Sequence, residues 1–389
     1  MYILLLGRQP ALGVAELEQL YGSDNISWFS SISAIVDSDK FNFNILGGCQ
    51  KAGRIIEKTS GNWRQISTKI INKYTSDWSN SDKKITLGIS VYGFNISPRD
   101  VQKTGLIIKS KLKNNGVSVR LIPNSDTMLN TATSHHNKLG LSKNHIELLI
   151  VQSSNNKVII AESVGSQNIT SFASRDQARP KTDAFVGMLP PKLARIMINM
   201  SGLTTNSQNK ILLDPFCGTG VILQESAILG FTPYGTDLSD KMIEYSKINY
   251  TWLADKYDIK KTIDIATGDA TNYIWKKPID TVVCETYLGQ PFNTFPATDK
   301  LNQVKNNCNH IINDFLVNLR NQLKSGSTIC IAVPAWKASD NHFIHLPIIK
   351  NLEKIGFRRK LLKNIQNNQL LYYRENQIVA RELLILEVI

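Results

Sequence analysis

The sequence has no run of eighteen or more apolar residues, which excludes a helix built to cross a membrane. Its opening MYILLLGRQP is apolar but lacks both a basic flank and a small-residue cleavage site, so it reads as a first strand, not a signal peptide. The five cysteines, at 49, 217, 284, 308 and 330, form no C-x-x-C pair. A disulfide framework and a zinc site are therefore not expected, and a reducing, cytoplasmic setting is. The histidines offer only His135-His136 and His342-x-x-His345, without clustered acidic or thiol companions, so no metal site is expected. No G-x-G-x-x-G occurs, which argues against a dinucleotide ligand.

Acidic residues are also scarce: 32 Asp and Glu stand against 45 Lys and Arg, a net charge of +13. The imbalance is local, because residues 51–200 carry 22 Lys and Arg against 9 Asp and Glu. A basic middle between near-neutral ends suits a polyanion-binding module joined to something else. A generally Lys- and Asn-rich surface is the plain alternative. A chain of 389 residues is long for one domain, and two or three are expected.

The segment ALGVAELEQLYG reads as a short helix with Ala11, Val14, Leu17 and Leu20 on one face and Gly22 past its end. SISAIVDSD is a strand by alternation, and GGCQKAGRIIEK resumes after a glycine pair. KKITLGISVYG is a strand, and VQKTGLIIKSKLKNNG a helix turning Leu106, Ile107 and Leu112 to a core. VSVRLIP is a further strand, NTATSHHNKLG a short polar helix or turn, and IELLIVQSSNNKVIIAES a hairpin turning at Asn155-Asn156. Residues 166–185 are polar, contain Pro180 and show no period, as a linker or covering loop would. From 186 onward strands and helices alternate, which means a parallel, doubly wound sheet, closed by two alternating strands in NQLLYYRENQIVARELLILEVI as an antiparallel edge hairpin.

The chemistry concentrates in that last part. ILLDPFCGTGVILQ places Asp214 at the carboxyl end of a strand, where open α/β sheets bind ligands. Gly218 and Gly220 allow a tight turn with close backbone approach, flanked by Phe216 and Cys217. Asp237 ends the next strand at the spacing where a carboxylate accepts both ribose hydroxyls, and Asp269-Ala270 follow the third. Three acidic strand ends repel a phosphate and suit a cation. S-adenosylmethionine, with adenine, ribose and a cationic amino-acid tail, is the expected cofactor: Asp214 toward the ammonium end, Asp237 on the ribose, Asp269 on the adenine amine.

RPKTDAFVGMLPPKLARIMINM, LLDPFCGTGVILQESAILG, GTDLSDKMIEYSKINY, GVSVRLIPNSDTMLNTATSHHNKL and YYRENQIVARELLIL together resemble the THUMP-containing RNA guanine-N2-methyltransferases, in particular those acting on guanosine ten of tRNA. The resemblance covers most of the chain and is weakest in the first sixty residues. It implies an α/β fold: a Rossmann-like class I methyltransferase domain over 186–389, preceded by α+β modules. These are an N-terminal ferredoxin-like module over 1–60, a THUMP RNA-binding domain over 61–165 and a linker over 166–185. It implies tRNA as partner, with Lys103, Lys109, Lys113, Arg120 and Lys138 as RNA contacts, no membrane association, and a monomer or dimer with room for a small partner subunit. It also brings the Arg175–Pro180 segment to the catalytic crevice.

One stretch departs from the family. Where its members end the fourth strand with Asp or Asn, two prolines and an aromatic, this chain has Glu285-Thr286-Tyr287 in DTVVCETYLGQPF. Two registers fit. In the preferred one Glu285 takes the acidic place, Thr286 and Tyr287 replace the prolines, and Gly289 is retained; in the other Tyr287 keeps the aromatic place and Cys284 falls on the acidic one. Glu285 and Tyr287 are the candidate catalytic residues, with Tyr287 or Phe292 as the stacking ring. Three readings follow: a methyltransferase for the exocyclic N2 of a tRNA guanosine, a catalytically weak or inactive tRNA-binding relative, or a methyltransferase for another base position or a small molecule.

Overall fold

The computed structural model describes residues 1–183, 188–202, 210–340 and 342–389. Ala184 and Phe185 of the expected linker lie outside the described residues. The chain divides into two compact units, Met1–Pro10, Asp24–Asn44 and Cys49–Ser171 in the first, and Ala11–Ser23, Ile45–Gly48 and Phe172–Ile389 in the second.

The first unit is built on strands β1 (Tyr2–Leu6), β2 (Ile26–Ser30), β3 (Ser33–Val36), β4 (Cys49–Ser60), β5 (Ile85–Tyr92), β6 (Val119–Leu121), β7 (His145–Gln152) and β8 (Lys157–Ser166). They form one sheet in the order β2-β3-β1-β4-β8-β7-β5-β6. The boundary expected near residue 60 thus runs through a continuous sheet, because β4 pairs with β1 on one side and β8 on the other. Both faces of β7 are covered: Leu148 and Ile150 pack with the helices Trp63–Asp77 and Pro98–Asn114, while Leu149 and Val151 pack with Ile3 and Leu5. A strand buried on both faces reads as an unbroken apolar run, here LLIV over residues 148–151.

The helix Trp63–Asp77, absent from the sequence reading, begins on an Asn62–Gln65 capping box and buries Ile66, Ile70 and Tyr74 at i, i+4, i+8. In the helix Pro98–Asn114 the core face is Val101, Thr104, Ile108 and Leu112, and Leu106 is half exposed. The expected face was rotated by about one residue, because KTGLIIKSKL places three apolar residues in a row and only packing chooses among them.

The second unit carries β9 (Ile211–Asp214), β10 (Thr232–Asp237), β11 (Asp264–Thr267), β12 (Thr281–Glu285), β13 (Thr328–Ser339), β14 (His342–Ile344), β15 (Phe357–Arg359), β16 (Leu371–Tyr372) and β17 (Val379–Val388). The main order is β11-β10-β9-β12-β13-β17-β15. Strands β11 to β13 are mutually parallel and β17 is antiparallel to β13. The last strand is not at an edge: β17 lies between β13 and β15, with β16 paired beside it.

The helix Pro10–Tyr21 was expected in an N-terminal module, yet residues 11–23 belong to the second unit. Two buried glutamates hold it there. Glu16 accepts from the Gly47 and Gly48 amides, both at 2.8 Å, and from Asn199 Nδ2 at 2.6 Å. Burial pushes its carboxyl above the usual range, against those hydrogen bonds. Glu18 accepts from the amides of Lys363 and Asn364. The glycine pair is required sterically, since a Cβ on Gly47 would stand 2.4 Å from the Lys192 carbonyl and one on Gly48 2.7 Å from Gly13 Cα.

The stretch expected as a linker contains a helix, Ile169–Gln177. Arg175, in the second unit, pairs with buried Glu225, which also receives Arg195 at 2.7 Å. Both guanidinium groups stack over Phe172, at 4.6 and 4.9 Å from the ring centre.

Candidate active site

The strand order of the second unit reverses between β9 and β12, and at such a switch point the carboxyl ends of the strands border a crevice. A cavity of about 830 Å³ opens there. Its lining includes Asp214, Phe216, Cys217 and Gly218 after β9, Asp237 and Leu238 after β10, Asp269 and Ala270 after β11, and Glu285 and Tyr287 after β12. The strands end together because their registers align: Gly235 stands beside Asp214, and Asp237 beside Thr267. Of the residues named from sequence for the cofactor, only Gly220 is outside this lining. It caps the helix Val221–Ile228 at φ 85°, and a Cβ there would meet Ser246 Oγ at 2.3 Å.

Each acidic strand end is committed to the backbone as well as to the cavity. Asp237 accepts from the Gly218 amide at 2.8 Å and the Ser239 amide at 2.9 Å, so it shapes the glycine turn that faces it. Asp269 accepts from the amide and hydroxyl of Thr271. Asp214 is buried and accepts from the Phe216 amide at 3.2 Å. Burial pushes its carboxyl well above the ordinary carboxylate range; the Phe216 amide opposes this, while Asp237 and Glu285 add to it. A cation placed beside Asp214 relieves that situation, and a phosphate aggravates it.

Glu285 ends β12 with its carboxylate partly buried, and Oε1 accepts a charge-assisted hydrogen bond from Arg381 Nε of β17. Thr286 is buried, and its amide and hydroxyl both donate to the Ala332 carbonyl, at 3.0 and 2.9 Å. These bonds stiffen the turn where the family has prolines. Tyr287 is exposed and lines the cavity, whereas Phe292 packs against the interior. Cys284 is wholly buried among core side chains and does not line the cavity.

Leu238, Met188, Leu189 and Lys241 also line the cavity and were not foreseen. Leu238 had a signal: it is an apolar residue directly after an acidic strand end, and it stays 72% exposed. Lys241 is paired with Asp183 at 2.8 Å. In the first unit Lys103, Lys109, Lys113, Arg120 and Lys138 are all exposed. Arg120 donates to Asn137, next to Lys138, while the three lysines sit on the helix Pro98–Asn114.

The strand order with an inserted antiparallel strand, and a carboxylate-rimmed crevice at the switch point, define the second unit as a class I methyltransferase domain, the class whose methyl donor is S-adenosylmethionine. Residues 179–345 match the family described as UPF0020: RMKL-like, methyltransferase domain. The chain is 31% identical over 163 residues to the tRNA (guanine(10)-N2)-dimethyltransferase of Methanothermobacter thermautotrophicus, a match covering 41% of this chain and 44% of that one. It is 23% identical over 236 residues to the enzyme of the same name from Methanocaldococcus jannaschii, covering 59% and 64%. Both matches thus span less than two thirds of the relative's length. In fold, the chain is similar over its full length to the crystal structure of TrmN from Thermus thermophilus, with a TM-score of 0.54, 14% identity and 99% of that chain covered. Among the described residues no helix is long and apolar enough to cross a membrane.

Proposed function

We propose that the protein transfers a methyl group from S-adenosylmethionine to the exocyclic N2 of a guanosine in tRNA. The observation that carries this reading is the single cavity in which Asp214, Asp237, Asp269 and Glu285 meet at the carboxyl edge of the sheet. The similarity to tRNA (guanine(10)-N2)-dimethyltransferases supports the substrate class, and the exposed basic residues of the first unit, within the proposed THUMP segment 61–165, are the proposed tRNA contacts. Guanosine ten, a monomer or dimer, and room for a small partner subunit remain part of this proposal.

The residues fit the donor. Asp237 takes the ribose hydroxyls, Asp269 the adenine amine, Leu238 and Ala270 the faces of the base, and Asp214 the cationic tail. When bound, S-adenosylmethionine supplies a methyl group already activated by a sulfonium sulfur. The guanine amine is a poor nucleophile, since its lone pair is delocalised into the ring. Glu285 accepts a hydrogen bond from that amine and aims the nitrogen, Tyr287 stacks on the base after it leaves its helix, and the Thr286 anchor holds both in place. Positioning is thus the main contribution of this chain.

The test is incubation of the purified protein with unmodified tRNA and labelled donor, followed by nucleoside mass spectrometry. N2-methylated guanosine supports the reading. Binding of tRNA without transfer supports a non-catalytic relative, and methyl on another base or on no RNA supports the third reading. Two further results are expected. Asp237→Ala will weaken donor binding by on the order of a hundredfold in calorimetry, since it removes two charge-assisted hydrogen bonds and the anchor of the Gly218 turn.

The second concerns pH. A carboxyl whose folded-state value is raised binds its proton more readily in the native than in the unfolded state. Asp214 therefore costs the ligand-free protein stability as pH rises from the ordinary carboxyl range toward its folded value. A cationic donor favours the ionised form, so affinity will rise with pH across that window and binding will release a proton. Calorimetry in two buffers of different ionisation enthalpy measures the release, and Asp214→Asn will abolish it.

A further inference from the structure

Arg381 has no counterpart in the sequence-level site. It lies on β17, two strands away from Glu285 on β12, with β13 between them. The register sets Glu285 beside Ala332 and Ala332 beside Leu383, and it sets Pro334 beside Arg381. Side chains two residues apart on a strand share a face, so Glu285, Ala332, Pro334, Leu383 and Arg381 all stand on one side of the sheet. Strands are about 4.8 Å apart, so a side chain from β17 must cross nearly 10 Å to reach β12. Arginine is long enough, and Ala332 is small enough to be crossed. The guanidinium donates through Nε to Glu285 Oε1, and both side chains are mostly shielded, at 11% and 18% exposure.

We propose that Arg381 is a positioning residue for methyl transfer, acting through Glu285; this rests on the reading of Glu285 given above. A glutamate has one more rotatable bond than the aspartate or asparagine of related sites, and its carboxylate left to itself samples several positions. The clamp on Oε1 selects one of them. Among the described residues Oε2 has no hydrogen-bond partner, so it is the oxygen left for the substrate amine. Together with the Thr286 anchor, the clamp replaces what a shorter acid and two prolines supply elsewhere: rigidity from outside the motif instead of within it. Arg381 is not among the residues lining the cavity, so its assigned role is through Glu285 and not by direct contact.

The test uses the full-length protein and steady-state methyl transfer to tRNA, with Arg381→Met, Arg381→Lys, Glu285→Gln and the double variant Arg381→Met/Glu285→Gln. Arg381→Met is expected to lower kcat about thirtyfold, within the range for an ångström of misplacement, with KM for tRNA and donor held within about twofold. Arg381→Lys, which restores a donor without the planar fork, will recover part of the loss. In the Glu285→Gln background the Arg381→Met step will cost no more than about twofold, because the group it positions is already altered. A wild-type kcat in Arg381→Met overturns the clamp, as does a loss confined to KM or one of equal size in both backgrounds. Wild-type protein that transfers no methyl group to tRNA overturns the underlying reading and the clamp with it, whereas active wild type with indifferent Arg381 variants overturns the clamp alone. Melting curves and donor affinity of each variant separate misfolding from misplacement.

Discussion

Glu285→Ala will lower methyl transfer to tRNA by about two to three orders of magnitude while the protein stays folded and still binds the donor. Loss of one preorganised hydrogen-bonding group at a reacting centre costs about 10²–10³ in rate. The donor contacts proposed here lie on β9, β10 and β11, and Glu285 stands on the neighbouring β12, so donor affinity should change little. Glu285→Asp is a sharper probe. It restores the acid of the family pattern but withdraws the carboxylate by about 1.3 Å, a displacement worth on the order of a hundredfold by itself. It also pulls the acid away from Arg381, which is already extended across β13. Aspartate is thus expected to be a poor substitute here, despite being the usual residue at related sites. Single-turnover rates with saturating donor measure both variants, and calorimetry checks that the donor still binds. Full activity in Glu285→Asp would remove the idea that this site was rebuilt around a longer acid.

The second large effect is on stability. Glu225 is 1% exposed and is shared by Arg175 and Arg195, which stack on Phe172. Glu225→Ala leaves two guanidinium groups in the interior without their counter-charge, a change expected to cost about 3–5 kcal/mol. A native domain is stabilised by only about 5–15 kcal/mol in total, so the variant should unfold at a much lower denaturant concentration than wild type. Urea unfolding followed by circular dichroism checks this, and the slope of the transition shows whether the same surface is exposed. Replacing all three by apolar residues should be far milder, because the main penalty lies in an unpaired buried charge and not in the absence of the network. A Glu225→Ala variant as stable as wild type would mean that water reaches this cluster.

The difference between these two sites also marks what could be read in advance. Asp214, Asp237 and Glu285 were recognisable because each ends a strand, and Asp269 because it closely follows one; in a parallel sheet with aligned registers all strand ends of one sense lie along one edge. The glycine turn was recognisable for the same local reason. Glu16, Glu18 and Glu225 were not. A glutamate on a helix reads as solvent-facing, and these are buried only because Gly47, Gly48, Asn364, Arg175 and Arg195 arrive from distant parts of the chain. The rotated face of the helix Pro98–Asn114 is the same lesson at smaller scale: three adjacent apolar residues leave the choice of face to the neighbours.

Short-range rules therefore determined the doubly wound second half, the row of acids at its carboxyl edge and the basic character of the middle, since strand ends, glycine turns and charge are properties of contiguous residues. Tertiary structure alone decided that the helix after β1 belongs to the second unit, that β17 sits inside its sheet, and that Arg381 meets Glu285 across β13. Those outcomes depend on pairings between residues tens to hundreds of positions apart. Such pairings arise from burial and register in the assembled sheet, and no local pattern encodes them.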